Sequence, residues 1–329
     1  MRHGRCGPNY MNNFKGKHIL VTGGSGFIGS HLVQLLLKEK AHVHTTFFSF
    51  HPLSYFYQQG LYKKTIMHRV DITHFYEIQE VITKNDIEYI FHLAAEPLVE
   101  VAYVNPRRAL ETNIMGTVNV LEAARLYGKV KAIIIASSDK AYGKLSSGKY
   151  KETDALKGDH PYEVSKSATD LIAQAYSKTY GMPIVTTRFG NIYGEGDIHF
   201  SRIIPGIMEA VIQKKKLELR SDGTFERDYL YVKDVVKGYL LLAMNINKAR
   251  GNAYNFGSDE HHSVLTLIKL AEKSLHKKIP YSILNTARNE IPYQSLDCTK
   301  IQKVFGWKAK TKIKKILPII HRWYKKVLS

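Results

Sequence analysis

Lys17-His-Ile-Leu-Val-Thr22 runs straight into Gly23-Gly24-Ser25-Gly26-Phe27-Ile28-Gly29, and the reading of this stretch decides the fold. The first half is a short apolar strand, and the second turns it into a helix expected over His31 to Lys38. The glycines serve separate purposes. Gly23 permits the tight turn, Gly26 lets the backbone approach a pyrophosphate, and Gly29 lets helix pack on strand. Phosphates are then held at the helix N-terminus, where unpaired N–H groups and the helix dipole favour negative charge. Phe27 and Ile28, between the glycines, are counted with them as cofactor contacts.

Further strands are expected over residues 43–47, 65–70, 89–93, 132–137 and 184–189, with helical patterns between most of them. That alternation predicts an α/β, Rossmann-like doubly wound parallel sheet. A NAD enzyme usually offers an acidic residue to the ribose hydroxyls after the second strand, but here the chain reads His44-Thr-Thr-Phe-Phe-Ser-Phe-His51. Thr46 or Ser49 is the expected ribose contact. His51 with Lys63 or Lys64 would tolerate a 2′-phosphate, so NAD is preferred without excluding NADP.

Chemistry concentrates in Ser138-Asp139-Lys140 and Tyr162-Glu-Val-Ser-Lys166. A tyrosine and a lysine four residues on share a helix face, so the ammonium is expected to draw the phenol down from about 10 towards neutrality. Tyr162 then serves as base for an alcohol about to lose a hydride. Oxidation alone needs nothing more, so Asp139 and Lys140 imply a second proton transfer, for which loss of water is the natural candidate. As a base, Lys140 must be partly neutral, a state expected from burial beside other cations.

At 329 residues the chain is long enough for a large α/β unit with a smaller partner. No apolar run approaches the roughly 20 residues of a membrane span. Cys6 and Cys298 make no disulfide framework, which fits a reducing cytoplasm. The net charge of +19 comes from scattered lysines, densest from Lys308 to Lys326, where an amphipathic terminal helix with a solvated basic face is expected. No groove-reading motif accompanies the charge, so nucleic acid is not the expected partner; an anionic small substrate suits a positive field. His42 and His44 alternate on a strand, but the sequence offers them no third ligand and no metal is assigned. Residues 1–14 read as a disordered leader.

The chain resembles the NAD-dependent epimerase/dehydratase family of nucleotide-sugar enzymes, extended short-chain dehydrogenases, from Lys15 onward. The resemblance rests on the glycine loop, the Tyr162/Lys166 pair, Asn113-Ile-Met-Gly-Thr117, Arg188-Phe-Gly-Asn191-Ile-Tyr-Gly194, Arg227-Asp-Tyr-Leu-Tyr-Val-Lys-Asp234 and Phe305-Gly-Trp307. The triplet Ser138 to Lys140 and His92-Leu-Ala-Ala-Glu-Pro-Leu-Val99 look most like nucleotide-sugar 4,6-dehydratases of the CDP-glucose type. The triplet also looks like that of inverting UDP-N-acetylglucosamine 4,6-dehydratases.

The resemblance implies that Asp71 and Ile72 lie against the adenine, that Leu93, Ala94 and Ala95 line the cofactor, and that Lys166 bridges its ribose and Tyr162. It implies substrate contacts at Glu96, Ser138, Asn191 and Arg227, with Arg288 a further candidate. It further implies 4,6-dehydration by Tyr162, Ser138, Asp139 and Lys140, with a carbon-4 epimerase or keto-sugar reductase, or a non-catalytic cofactor-sensing or RNA-binding relative, as alternatives. The expected division is a cofactor domain of residues 15–190 with 228–257 and a nucleotide-sugar domain of 191–227 with 258–329. Apolar stripes Val164/Ala168/Leu171/Ile172/Ala175 and Leu110/Ile114/Val118/Leu121 are expected to form a four-helix homodimer interface.

Overall fold

The computed structural model describes residues 13–144, 148–286 and 293–329. Most of the expected leader, and Arg288, lie outside the described residues. In chain order the strands are β1 (His18–Thr22), β2 (His42–Phe47), β3 (Ile66–Arg69), β4 (Tyr89–His92), β5 (Ala132–Ala136), β6 (Ile184–Phe189), β7 (Asn191–Tyr193), β8 (Leu217–Leu219), β9 (Glu226–Tyr231), β10 (Ala253–Phe256), β11 (His261–Ser263), β12 (Tyr281–Ile283) and β13 (Tyr293–Gln294).

Seven of these form one parallel sheet in the order β10-β6-β5-β4-β1-β2-β3, the reversal of a Rossmann-like fold. The central strands Ile19 to Val21 and Ala132 to Ile135 are continuous apolar runs because helices cover both faces. On one face α1 (Phe27–Lys38) packs with a later helix, and on the other α2 (Phe75–Lys84) packs with α3 (Gly116–Tyr127). Next come α4 (Pro161–Tyr180), α5 (Ile203–Gln213), α6 (Val232–Met244), α7 (Val264–Leu275) and α8 (Ile313–Leu328). Pro161 opens α4, where its missing N–H costs nothing, and Gly181 closes it at φ +65°.

A smaller sheet, β11-β9-β13 with β7 beside β9, is backed by a second core that joins α5, α7 and α8. Residues 228–231, assigned from sequence to the large lobe, are strand residues of this smaller sheet. The return to the large lobe begins at α6, which packs against α1. The terminal helix buries Leu317, Ile320 and Tyr324 and leaves its lysines outside.

Candidate active site

The carboxyl ends of β1, β2, β4, β5 and β6 open into a cleft of about 2120 Å³ that runs between the lobes. Gly23, Gly26, Phe27, Ile28, Gly29, Thr46, Asp71, Ile72, Leu93, Ala94, Ala95, Glu96, Ser138, Asp139, Lys140, Tyr162, Lys166, Asn191 and Arg227 all line it. Of the residues singled out as site candidates, only Arg288 cannot be placed, because it lies outside the described residues.

The loop after β1 fits a dinucleotide. A Cβ on Gly23, at φ +68°, would stand 2.9 Å from Ala94 Cα, and one on Gly29 would overlap the Gly23 carbonyl oxygen. Backbone alone therefore faces the cleft at the start of α1, the arrangement that cradles a pyrophosphate. Thr46 Oγ1 accepts from Gly23 N–H at 3.2 Å, so the threonine also fixes the loop. Asp71 is tied by its carboxylate to Thr73, at 2.9 Å from N and 2.8 Å from Oγ1. Ser49 and His51 reach the same end and hydrogen-bond each other at 3.0 Å, while Lys63 turns to the Tyr62 ring.

The reacting groups cluster at the ends of β5 and α4. Ser138 Oγ accepts from Lys140 N–H at 3.1 Å, which caps the turn over Asp139–Tyr142, and donates to Asp139 Oδ1 at 3.0 Å. Burial raises the Asp139 carboxyl, against the pull of Lys140 and the Ser138 hydrogen bond, so this acid is kept protonated beyond the usual carboxylate range. Lys166 is buried and donates to the Ala136 carbonyl at 3.1 Å; desolvation lowers it to about 8.

One expectation is corrected here. Tyr162 is not drawn towards neutrality: burial pushes its phenol up to about 12, with Asp139 and Glu96 adding to the rise. Arg202 and the Ser138 hydrogen bond pull the other way without prevailing over desolvation. Lys140 is half-buried and donates to Gln294 Oε1 at 2.7 Å.

Several groups at the site carry no local sequence signal. Arg202 is gripped by Asp197 at 3.0 and 3.1 Å and directs its charge at Tyr162. Gln294 arrives on β13 from 154 residues beyond Lys140. Beside Tyr162, the buried Glu163 takes Asp159 N–H at 3.2 Å and meets His160 Nε2 at 3.2 Å. Burial, with the Asp159 carboxylate beside it, raises Glu163 to about 7. Glu96 receives a different support: its N–H donates to Asn113 Oδ1 at 2.7 Å, and Asn113 in turn donates to Ser165 Oγ at 2.8 Å.

The cleft thus joins a dinucleotide cradle to a buried acid, a phenol and two amines, and known proteins share this frame. The profile of the GDP-mannose 4,6 dehydratase family matches residues 20–320. The chain is 30% identical to a dTDP-glucose 4,6-dehydratase of Haemophilus influenzae, over 93% of this chain and 97% of that one. It is 29% identical to a CDP-glucose 4,6-dehydratase of Salmonella typhimurium, over 95% and 92%. Its fold is similar to that of a UDP-glucuronic acid 4-epimerase from Bacillus cereus solved with UDP-glucuronic acid and NAD. That match has a TM-score of 0.87 and 27% identity over 94% of this chain and 99% of that one. A cradle and reacting groups in this order along one sheet, together with a profile match across nearly all of the chain, make it a member of the GDP-mannose 4,6 dehydratase family, among the NAD-dependent nucleotide-sugar epimerases and dehydratases.

Proposed function

We propose that the chain is a nucleotide-sugar 4,6-dehydratase that converts a nucleoside-diphosphate hexose into its 4-keto-6-deoxy derivative and water. The observation that carries this reading is Asp139, a buried carboxyl held towards its protonated form beside Ser138 and Lys140 in the same cleft as Tyr162. A simple oxidoreductase has no use for such an acid.

NAD is the expected cofactor, held by Gly23, Gly26, Phe27, Ile28 and Gly29 at its phosphates, by Thr46, Asp71 and Ile72 at its adenosine end, and by Leu93 to Ala95 and Lys166 further along. When bound, it supplies a hydride acceptor and later donor together with a fixed positive charge. Asn191 and Arg227 would hold the sugar's diphosphate, the arginine through its donor fork.

Tyr162 removes the proton from the carbon-4 hydroxyl while Ser138 orients that oxygen. The carbon-4 ketone acidifies the carbon-5 hydrogen, which Lys140 takes as a proton, and Asp139 protonates the carbon-6 hydroxyl as it leaves as water. Lys140 then returns a proton to carbon 5 as carbon 6 receives hydride. One proton remains on Tyr162 and one is missing from Asp139. Ser138, hydrogen-bonded to both, is the bridge that restores them.

The test is incubation of the purified protein with CDP-glucose, UDP-glucose, UDP-N-acetylglucosamine, dTDP-glucose and GDP-mannose, with NAD and NADP in turn, read by mass spectrometry. Loss of one water supports dehydration and identifies an accepted sugar. An intact, cofactor-loaded protein with no such product favours the second reading, a carbon-4 epimerase like the solved relative, with Asp139 and Lys140 as bystanders. The proposed working unit is a homodimer joined through the outer face of α4, where Val164 and Leu171 are 41% and 53% exposed.

A further inference from the structure

We infer that Gln294 is the positioning residue for Lys140: its side-chain carbonyl, carried on the smaller sheet, holds the amine in place for the carbon-5 proton transfer. The inference rests on the dehydration reading above and adds to it a residue that acts only through another. Gln294 Oε1 accepts from Lys140 Nζ at 2.7 Å. The two residues belong to different lobes. Lys140 follows β5 of the large sheet, whereas Gln294 lies on β13, opposite Arg227 of β9. One hydrogen bond therefore spans the junction between the lobes and ties down the free end of a long, rotamer-rich side chain. Gln294 is 2% exposed and does not line the cleft, so it reaches the reaction through Lys140 alone.

The anchor itself is held. Ser295 Oγ and the Leu296 N–H both donate to Asp228 Oδ2, at 3.4 and 3.0 Å, and the Ser295 carbonyl accepts from Tyr150 N–H at 3.0 Å. The amide oxygen suits both forms of the amine that the reaction needs. An ammonium has only donors, and a neutral amine can give one N–H to Gln294 while its lone pair stays free for carbon 5. Proton transfer falls steeply when the base is misplaced, so a fixed Nζ bears directly on rate. The other half of the amide argues for function over fold. Gln294 Nε2 is buried with no hydrogen-bond partner among the described residues. Its N–H groups are shut away from water, a loss of stability that an apolar side chain of similar size would remove. Packing alone does not explain a glutamine here.

The test compares full-length wild type with Gln294→Met and Gln294→Leu, using CDP-glucose or whichever sugar nucleotide loses water in the assay above, with hydrogen and with deuterium at carbon 5. Both variants should lose water about 10–100-fold more slowly, with KM unchanged. In a single turnover, reduced cofactor should appear at the wild-type rate and then persist. The carbon-5 isotope effect should exceed that of wild type, because the step that Lys140 performs has become limiting. A residue that only supports the fold would slow every step together and leave the isotope effect where it was. The urea midpoint should stay at or above the wild-type value. Undiminished water loss, an unchanged isotope effect, or a midpoint that falls sharply in both variants would overturn the inference, the last by making Gln294 a structural residue. Failure of the dehydration reading is seen separately, as a wild-type protein that removes water from none of the five sugars, and would take this inference with it.

Discussion

Tyr162 and Lys166 lie one helical turn apart, yet burial moves both towards their neutral forms: the phenol up to about 12 and the ammonium down to about 8. Proton removal at carbon 4 therefore needs the added positive charge of the bound cofactor, whereas burial holds Asp139 towards the protonated form that its role requires. Asp139→Asn keeps the shape of the turn and removes only that proton. Water loss should fall by about 10²–10⁴-fold while oxidation at carbon 4 continues, visible as reduced cofactor in a single turnover. Undiminished water loss would exclude Asp139 as the acid. Glu163 makes a separate prediction, about stability. Its folded value of about 7 lies above the ordinary 4.5, so between those limits the native state binds the extra proton. Its contribution is fully present below about 4.5 and is lost as pH rises through 7. Urea unfolding at pH 5 and pH 8 should show a difference up to about 3 kcal/mol larger in wild type than in Glu163→Gln. Equal differences would mean that the carboxyl is not protonated in the fold.

Between residue and molecule, the turn over Asp139–Tyr142 is held from below by Arg188 on β6. Its guanidinium grips Asp170 of α4 at 2.7 and 3.0 Å, donates to the Tyr142 hydroxyl at 2.7 Å and lies over that ring at 4.7 Å. Both charges are buried, so removing one strands the other. Asp170→Asn should cost about 3–5 kcal/mol in chemical denaturation, and a loss below 1 kcal/mol would show the pair to be dispensable. This element also explains what was legible in the sequence. Ser138, Asp139, Tyr162 and Lys166 could be read because a strand end and one helical turn fix them locally. Gln294 could not, since only the pairing of β13 with β9 beside Arg227 brings it to Lys140. Arg202 sits at the start of α5, and nothing in its own segment points towards Tyr162. From sequence, residues 228–231 go with the cofactor domain because the chain's return to it is set at Asp228, and only the pairing of β9 with β7, β11 and β13 shows that they belong to the smaller sheet. The seventh strand, β10, went unassigned in the sequence because four residues of mixed polarity carry little periodicity.

At the scale of the molecule, the cleft depends on α4, whose inner face carries Tyr162 and Lys166 while its outer face carries Val164, Ala168, Leu171 and Ala175. The inner side is buried against the turn after β5 and the helices before it. The outer stripe is apolar and open, with Met115 on the preceding helical segment 49% exposed. Ile172 and Leu121 from the expected stripes instead pack into the core between sheet and helices, because each faces inward from its own helix. A net charge of +19 opposes association through long-range repulsion, so a dimer must be held by this apolar contact rather than by charge attraction. Leu171→Lys adds a charge at the centre of the stripe while leaving the inner face untouched. Light scattering at physiological salt should then report a monomer where wild type is a dimer, with the far-ultraviolet spectrum unchanged. The mass shift should persist at high salt, because screening restores repelled surfaces but not a lost apolar contact. A wild-type monomer, or a Leu171→Lys dimer, would move the interface elsewhere and leave this stripe to another partner.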